Sequence, residues 1–280
     1  MSPFLSQLNI YPIKSIQGIS LPSAKVALSG LVNDRHYMLI DTEGVAVTAR
    51  DYPQLSLVQA EQLAEQHWQL SHPSMSENLL INGQTFSNLT LECKIWDHQV
   101  IGHHCSTEID QWFNSILHIE VKLVYFGSSS HRFTNRKPDT PVEFADGYPF
   151  LLTTNASLAE VNRFAAEEIN MAQFRPNIVV DSNEAFAEDT WKRIKIGEVI
   201  FENVKPCERC IFTTLNPQTA ERSRKGEPLK TLAKFRLSAN KTIDFGINLV
   251  AENSGIINVG DSIEVLEYQA APSYLDRRKK

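Results

Sequence analysis

Lys205-Pro206-Cys207-Glu208-Arg209-Cys210-Ile211-Phe212-Thr213-Thr214 is the stretch on which the reading of this chain turns. Its two thiols stand three positions apart beside the cations Lys205 and Arg209. Nearby positive charge favours thiolate over thiol, the form that ligates metals and attacks electrophiles. Taken alone the pair stays open to several readings: half-buried cysteines at a strand end, a metal-holding or nucleophilic thiol, or half of a zinc site. A zinc knuckle needs a second ligand pair, and His103-His104-Cys105 does not stand at zinc-finger spacing.

Upstream and downstream of this stretch the chain reads mostly as short strands. Residues 194–196, 199–201, 247–250 and 262–266 flank it as strand candidates. Phe174-Arg175-Pro176-Asn177 introduces another at 178–180. Apolar residues 148–152 lead through Thr153-Thr154-Asn155-Ala156-Ser157 into a helical face of Leu158, Val161, Ala165 and Ile169, with Ser157 and Glu160 as a capping-box pair. In the first hundred residues, strands are expected at 5–10, 37–40, 45–48, 55–58, 79–81, 90–96 and 99–101, with Asp41-Thr42-Glu43-Gly44 as a turn. Ile109, Trp112, Phe113, Ile116 and Leu117 follow the helical period, which predicts one amphipathic helix capped by Ser106. A strand at 121–126 and a polar loop from 127 to 141 come next. The fold class is therefore α+β, mainly β, with a soft boundary near residue 120. Arg277-Arg278-Lys279-Lys280 reads as a solvated basic tail.

Composition sets outer bounds. At 280 residues the chain has room for about two domains or one large β-rich one. A net charge of −6 argues against binding a nucleic-acid polymer. The first cationic side chain is Lys14 and no long apolar run precedes it. Neither a secretory signal nor a membrane span is expected, and the cytoplasm is the expected compartment. Four cysteines are too few for a disulfide scaffold. Cys93 and Cys105 read as small core hydrophobes. No Gly-x-Gly-x-x-Gly or P-loop occurs, so no bound dinucleotide or nucleoside triphosphate is expected.

Cys207-Glu208-Arg209-Cys210 with Thr213-Thr214, Glu227-Pro228-Leu229 and Phe235-Arg236 resembles the MOSC domain, named for the C-terminal domain of molybdenum cofactor sulfurase. The likeness is strongest to the amidoxime-reducing branch. Tyr11-Pro12-Ile13-Lys14-Ser15, Gly30-Leu31, Asp34-Arg35, Thr48-Ala49-Arg50 and Pro53-Gln54-Leu55 are similar to the β-barrel domain that precedes MOSC in that branch. The resemblance implies an N-terminal β-rich domain over 1–120, a MOSC β-barrel with peripheral helices over 121–270, and the tail 271–280.

It further implies a molybdenum cofactor, molybdenum on a pterin, held by Cys210 as the metal ligand and catalytic thiolate. Cys207 would be secondary. A pterin cofactor carries an anionic phosphate and a polar heterocycle, so its site calls for cations and hydrogen-bonding groups. Lys14, Ser15 and Arg35 match cofactor-contacting positions, with ordinary surface charge as the alternative. Thr153, Thr154, Asn155 and Ser157 precede a predicted helix and would form either an anion site or a plain cap. Arg175 and Asn177 match a cofactor-binding motif in which Pro176 would hold Arg175 extended, with structural salt bridging as the rival. Arg209 would add a contact. Asn248 aligns with a polar site position, and a strand asparagine satisfied by backbone is the other reading. Glu188-Asp189-Thr190-Trp191 also matches a family motif, with capping and core packing as its alternative.

The activity implied is reduction of small N-hydroxylated compounds such as hydroxylaminopurines or amidoximes. The alternative is a sulfur or cofactor carrier without redox turnover, and a plain β scaffold would carry no cofactor. Asn216 stands where family members usually carry aspartate. No cysteine follows Cys210, so a plant-type iron–sulfur domain is not contained here. Electrons would come from a separate ferredoxin or flavin reductase, or from a domain beyond residue 280. A monomer is the default expectation.

Overall fold

The computed structural model of the protein describes residues 2–278. Its largest element is an eight-stranded sheet in the order Ile263–Tyr268, Trp191–Ile196, Val199–Glu208, Asp244–Ala251, Phe150–Thr154, Ile178–Asp181, Phe4–Ile10, Ile19–Leu21. Pairing is antiparallel except between Phe150–Thr154 and Ile178–Asp181, which run parallel. Parallel neighbours need a crossover, and the helix Asn155–Asn162 lies within it. Alternation along the strands sends Leu5, Leu8, Phe150, Leu152, Ile178, Val180, Phe201, Ile247 and Leu249 into one core, where each is fully buried. The sheet curls until its ends meet. A bridge joins Phe4 to Ser262, and the Ile263 amide donates to the Pro3 carbonyl at 2.9 Å.

The first half builds a four-stranded sheet from Tyr37–Ile40, Lys122–Tyr125, His98–His104 and Thr90–Ile95. A three-stranded sheet, Gln59–Ala64, His67–Ser71 and Leu79–Asn82, stands beside it. The helix Thr107–Leu117 forms on its expected apolar face, and the Ser106 side chain accepts from the Ile109 amide. Strand pairing crosses residue 120 in both directions. Phe4–Ile10 belongs to the large sheet, Lys122–Tyr125 to the sheet of the first half, and Gly255–Asn258 pairs with Ser23–Ala27. The fold is mainly β, as expected from the sequence. Among the described residues no helix is long and apolar enough to cross a membrane.

Several local expectations need correction. Residues 55–58 are not a strand: Pro53 fixes φ and lacks an amide donor, and it opens a 3-10 turn, Pro53–Leu57. Residues 45–48 make only isolated bridges, from Val45 to Lys94 and Ala46 to Ile40. The cap of the second helix is Thr154, not Ser157, and the helix stops at Asn162, short of Ala165 and Ile169. Of the tail, Arg277 is exposed as expected, while Arg278 is half-buried: it pairs with Glu160 and stacks 4.5 Å from the Phe235 ring centroid. Lys279 and Lys280 lie outside the described residues.

The matched segment 188–191 and Phe235-Arg236 meet in a buried polar cluster. Arg236 and Asp189 are each only 3% exposed. The guanidinium donates to both carboxylate oxygens, at 2.5 and 3.0 Å, and lies 4.3 and 4.0 Å from the ring centroids of Phe186 and Tyr274. Removing one partner of such a pair leaves a buried charge uncompensated, at a cost of about 3–5 kcal/mol. Arg236→Met is expected to lower stability by that order in urea denaturation, and adding Asp189→Asn should recover part of the loss.

Candidate active site

A cleft of about 550 Å³ opens where the two halves meet. Three backbone segments form its floor. Residues 11–16 leave the strand Phe4–Ile10, residues 31–36 precede Tyr37–Ile40, and residues 174–177 precede Ile178–Asp181. The first two are tied through backbone amides. The Lys14 amide donates to the Tyr37 carbonyl at 2.8 Å, the Arg35 amide to the Tyr11 carbonyl at 2.8 Å, and the Tyr11 amide to Asp34 Oδ1 at 2.8 Å.

Arg35 and Arg175 both lie over the Tyr11 ring, each 4.1 Å from its centroid. Arg35 also pairs with Asp34 and donates to Asn177 Oδ1 and to the Arg175 carbonyl, both at 3.1 Å. Arg175 donates to the Ile16 carbonyl at 2.5 Å. Burial and the neighbouring Arg35 lower the Arg175 pKa to about 10. Arg175 is not extended, as its place before Pro176 suggests, but has φ of +56°. Ser15, Arg35 and Trp96 are left-handed too, at +77°, +50° and +55°. Four strained non-glycine positions thus line one cleft, a pattern associated with functional sites.

The opposite wall comes from the end of the long strand Val199–Glu208. Lys205 pairs in register with Asn248, whose Nδ2 donates to the Pro206 carbonyl at 3.3 Å. Burial pushes the Cys207 thiol pKa up. Arg209 donates from Nε to the Phe245 carbonyl at 2.9 Å, while its Nη2 is buried with no hydrogen-bond partner. Gly246 sits beside this contact at φ +75°, where a Cβ would stand 2.6 Å from the Leu152 carbonyl oxygen. Cys210 follows as the cap of the 3-10 turn Ile211–Thr214, with its side chain exposed and in the cleft lining.

The rim holds residues to which the sequence reading gave no role. Arg50 Nε donates to Cys210 Sγ at 3.4 Å. Asp146 accepts from Lys14 and, at 3.3 Å, from Arg50 Nη2. Arg132 shapes the Asp146 loop by donating to the carbonyls of Glu143, Ala145 and Asp146. Lys14 is only 5% exposed, and burial lowers its pKa to about 8 against the opposing pull of Asp146. Reduced solvation would raise the Asp146 pKa, but Lys14, Arg50 and Arg35 more than reverse this and hold the carboxyl well below its ordinary range. The lining carries six cations, Lys14, Arg35, Arg50, Arg175, Lys205 and Arg209, against two acids, Asp146 and Glu208.

The structure therefore brings together Lys14, Ser15, Arg35, Arg175, Asn177, Arg209, Cys210 and Asn248. It does not bring Thr153, Thr154, Asn155 or Ser157 to the cleft. Thr153 Oγ1 contacts the Met171 sulfur, and Asn155 Nδ2 reaches Ser6. Thr154 and Ser157 hydroxyls donate to the fully buried Glu188, whose pKa is raised to about 7 by burial and by Asp189. Their oxygens are spent on a carboxyl of the chain itself. Arg50 had a sequence signal in Thr48-Ala49-Arg50; Asp146 and Trp96 had none. Among the described residues no group of three or more His, Cys, Asp or Glu side chains is placed to hold a metal ion.

Comparison with known proteins gives a consistent picture. Residues 2–120 match the family model of the MOSC N-terminal beta barrel domain, and residues 139–264 match that of the MOSC domain. Mitochondrial amidoxime-reducing component 1 of Danio rerio is 33% identical over 279 residues, which span 94% of this chain and 85% of that protein. Mitochondrial amidoxime reducing component 2 of Macaca fascicularis is 35% identical, with 92% of this chain and 82% of that protein covered. For mitochondrial amidoxime-reducing component 1 of Homo sapiens the identity is 32%, with 94% and 82% covered. With both domains matched in order and these relatives at about a third identity over most of its length, the chain belongs to the MOSC family.

Proposed function

We propose that this protein is a molybdenum-cofactor-dependent reductase of small N-hydroxylated compounds, hydroxylaminopurines or amidoximes among them, with Cys210 as the protein's ligand to the metal. The observation that carries the reading is the exposed Cys210 thiol standing in a cleft whose cationic walls come from both halves of the chain. The names of the relatives support the substrate class. Electrons would arrive from a separate ferredoxin or flavin reductase.

The residues present fit such a group. A cleft of about 550 Å³ lies within the range of about 300–1,000 Å³ usual for cofactor sites. An anionic phosphate matches the excess of cations, and the unpartnered Arg209 Nη2 offers a buried donor to a polar heterocycle. Soft sulfur ligands suit soft metals, and Cys210, the exposed one of the two cleft thiols, fits a metal whose other ligands belong to the cofactor. When bound, the cofactor supplies two-electron redox chemistry at the metal, through which oxygen leaves nitrogen as water with the uptake of two protons.

The chain's own residues bind and orient. Arg35 and Arg175, held on Tyr11, present fixed cationic faces at the cleft floor. Asn177 is locked as acceptor from Arg35 and as donor to the Asn9 carbonyl at 3.2 Å, which fixes the floor's shape. Lys14 Nζ holds a proton at neutral pH and releases it near pH 8, and Asp146 keeps its own charge throughout.

Two measurements test this reading. In protein made in a cofactor-competent host, Cys210→Ser should lower bound molybdenum by at least about tenfold, while Cys207→Ser should keep most of it; molybdenum retained in Cys210→Ser refutes the ligand assignment. The Lys14 pKa gives a pH dependence with a definite sign. Protonated Lys14 attracts anions below its pKa of about 8, and that attraction is lost as the pH rises through it. Sulfate affinity of cofactor-free protein, measured by calorimetry, should fall about two- to five-fold between roughly pH 7 and 9. Lys14→Arg should remove that fall, because arginine stays charged.

A further inference from the structure

We propose that Arg50 is a positioning residue for Cys210, one that holds the sulfur toward the cleft and draws charge from it through an N–H to sulfur hydrogen bond. The inference rests on the reading of Cys210 as metal ligand, and adds a residue to which neither domain motif gives a role. The contact is direct, from Arg50 Nε to Cys210 Sγ at 3.4 Å, across 160 positions of sequence.

What makes the contact purposeful is how completely Arg50 is braced around it. Its guanidinium carbon lies 4.2 Å from the Trp96 ring centroid, and Nη2 donates to Asp146 Oδ2 at 3.3 Å. Trp96 reaches this place from the turn between Thr90–Ile95 and His98–His104, in a left-handed conformation and 43% exposed. The main chain is fixed as well. Arg222 Nη2 donates to the Arg50 carbonyl at 2.6 Å, and Arg222 Nη1 donates to the carbonyl of Ile211, the residue after Cys210, at 3.1 Å. One guanidinium thus ties the backbone that carries the donor to the backbone that carries the sulfur.

With its face on Trp96 and Nη2 on Asp146, the guanidinium is oriented so that Nε is the donor that meets the thiol. Lysine, a point charge on a flexible stem, has no equivalent of this sideways N–H. Hydrogen bonds to ligating sulfur orient it and set the potential of the metal it binds. Removing such a bond leaves more charge on sulfur and stabilises the oxidised metal, so the potential falls.

The test has a cofactor-free arm and a loaded arm. In cofactor-free protein, Cys210 is alkylated with anionic iodoacetate and with neutral iodoacetamide, and modification is located by mass spectrometry. Arg50→Met should lower the iodoacetate-to-iodoacetamide rate ratio at Cys210 by about two- to five-fold, the size of an exposed charge interaction. Arg50→Lys should restore most of it. In the molybdenum-loaded protein, the midpoint potential of the metal should fall in both variants, because both lose the Nε–H donor. A ratio and potential unchanged in Arg50→Met overturn the proposal. If that variant does not fold, an unchanged potential in Arg50→Lys overturns it alone. Molybdenum retained in Cys210→Ser refutes the ligand reading and with it the redox half of the inference, while the alkylation ratio still decides whether Arg50 holds the sulfur.

Discussion

The strand Phe4–Ile10 hydrogen-bonds to Ile178–Asp181, and the cleft floor follows from where the chain leaves those two strands. The pair is antiparallel, with Leu8 opposite Ile178. The exit of the first strand is therefore adjacent to the entry of the second. Tyr11, Lys14 and Ser15 come just after one, Arg175 and Asn177 just before the other. Residues far apart in sequence share a floor because the pairing of two neighbouring strands brings them there, and the Asn9 amide completes that pairing with the Asn177 carbonyl at 2.9 Å. Without this insertion of the N-terminal strand, the MOSC half would keep its thiol wall, Arg175 and Asn177 but lose Lys14, Ser15 and the Tyr11 ring on which Arg175 rests.

Crowding six cations around one cavity is unfavourable unless the fold offsets it. Tyr11 provides a π face to two guanidinium groups, each contact worth about 0.5–2 kcal/mol. Asp34 and Asp146 supply the countercharge, and carbonyls of Phe144, Ile16 and Phe245 accept from Lys14, Arg175 and Arg209. The left-handed residues around the floor cost about 1–3 kcal/mol each where the conformation is sparsely populated. Such positions persist only when neighbouring contacts over-determine them, and at Arg35 these are visible: the amide is used by Tyr11, the side chain by Asp34 and Asn177, and the carbonyl by Phe144.

Local chemistry was legible wherever the determining contact is local. Ser106 caps its helix because its side chain needs to reach only three residues ahead. The strand expected at 199–201 runs on to Glu208 and carries Cys207 within it, while Arg175 and Asn177 meet the cleft through sequence adjacency to a strand. The hydroxyl-rich run 153–157 misled for the same reason that made it attractive. A helix start rich in Thr and Ser suits an anion, but the acceptor that Thr154 and Ser157 meet is the carboxyl of Glu188, more than thirty positions on and fully buried. Pairing over such a separation leaves no periodic mark. Asp146 and Trp96 fall in the same class, each in a turn whose position is set by Arg132 or by hairpin pairing.

The rim shows why arginine, rather than lysine, dominates this site. Each guanidinium holds protein carbonyls or carboxylates with part of its fork and turns the rest toward the cavity. Arg175 does so on the Ile16 carbonyl, Arg35 between Asn177 and the Arg175 carbonyl, and Arg209 keeps one nitrogen on Phe245 while another is left without a partner. Arg35 and Arg175, which bind the two halves together, are thus also among the groups that charge the cleft. Separation of the halves would dissolve the join and the site at once, so the affinity of the cleft for an anion and the cohesion of the fold are coupled through the same nitrogen atoms.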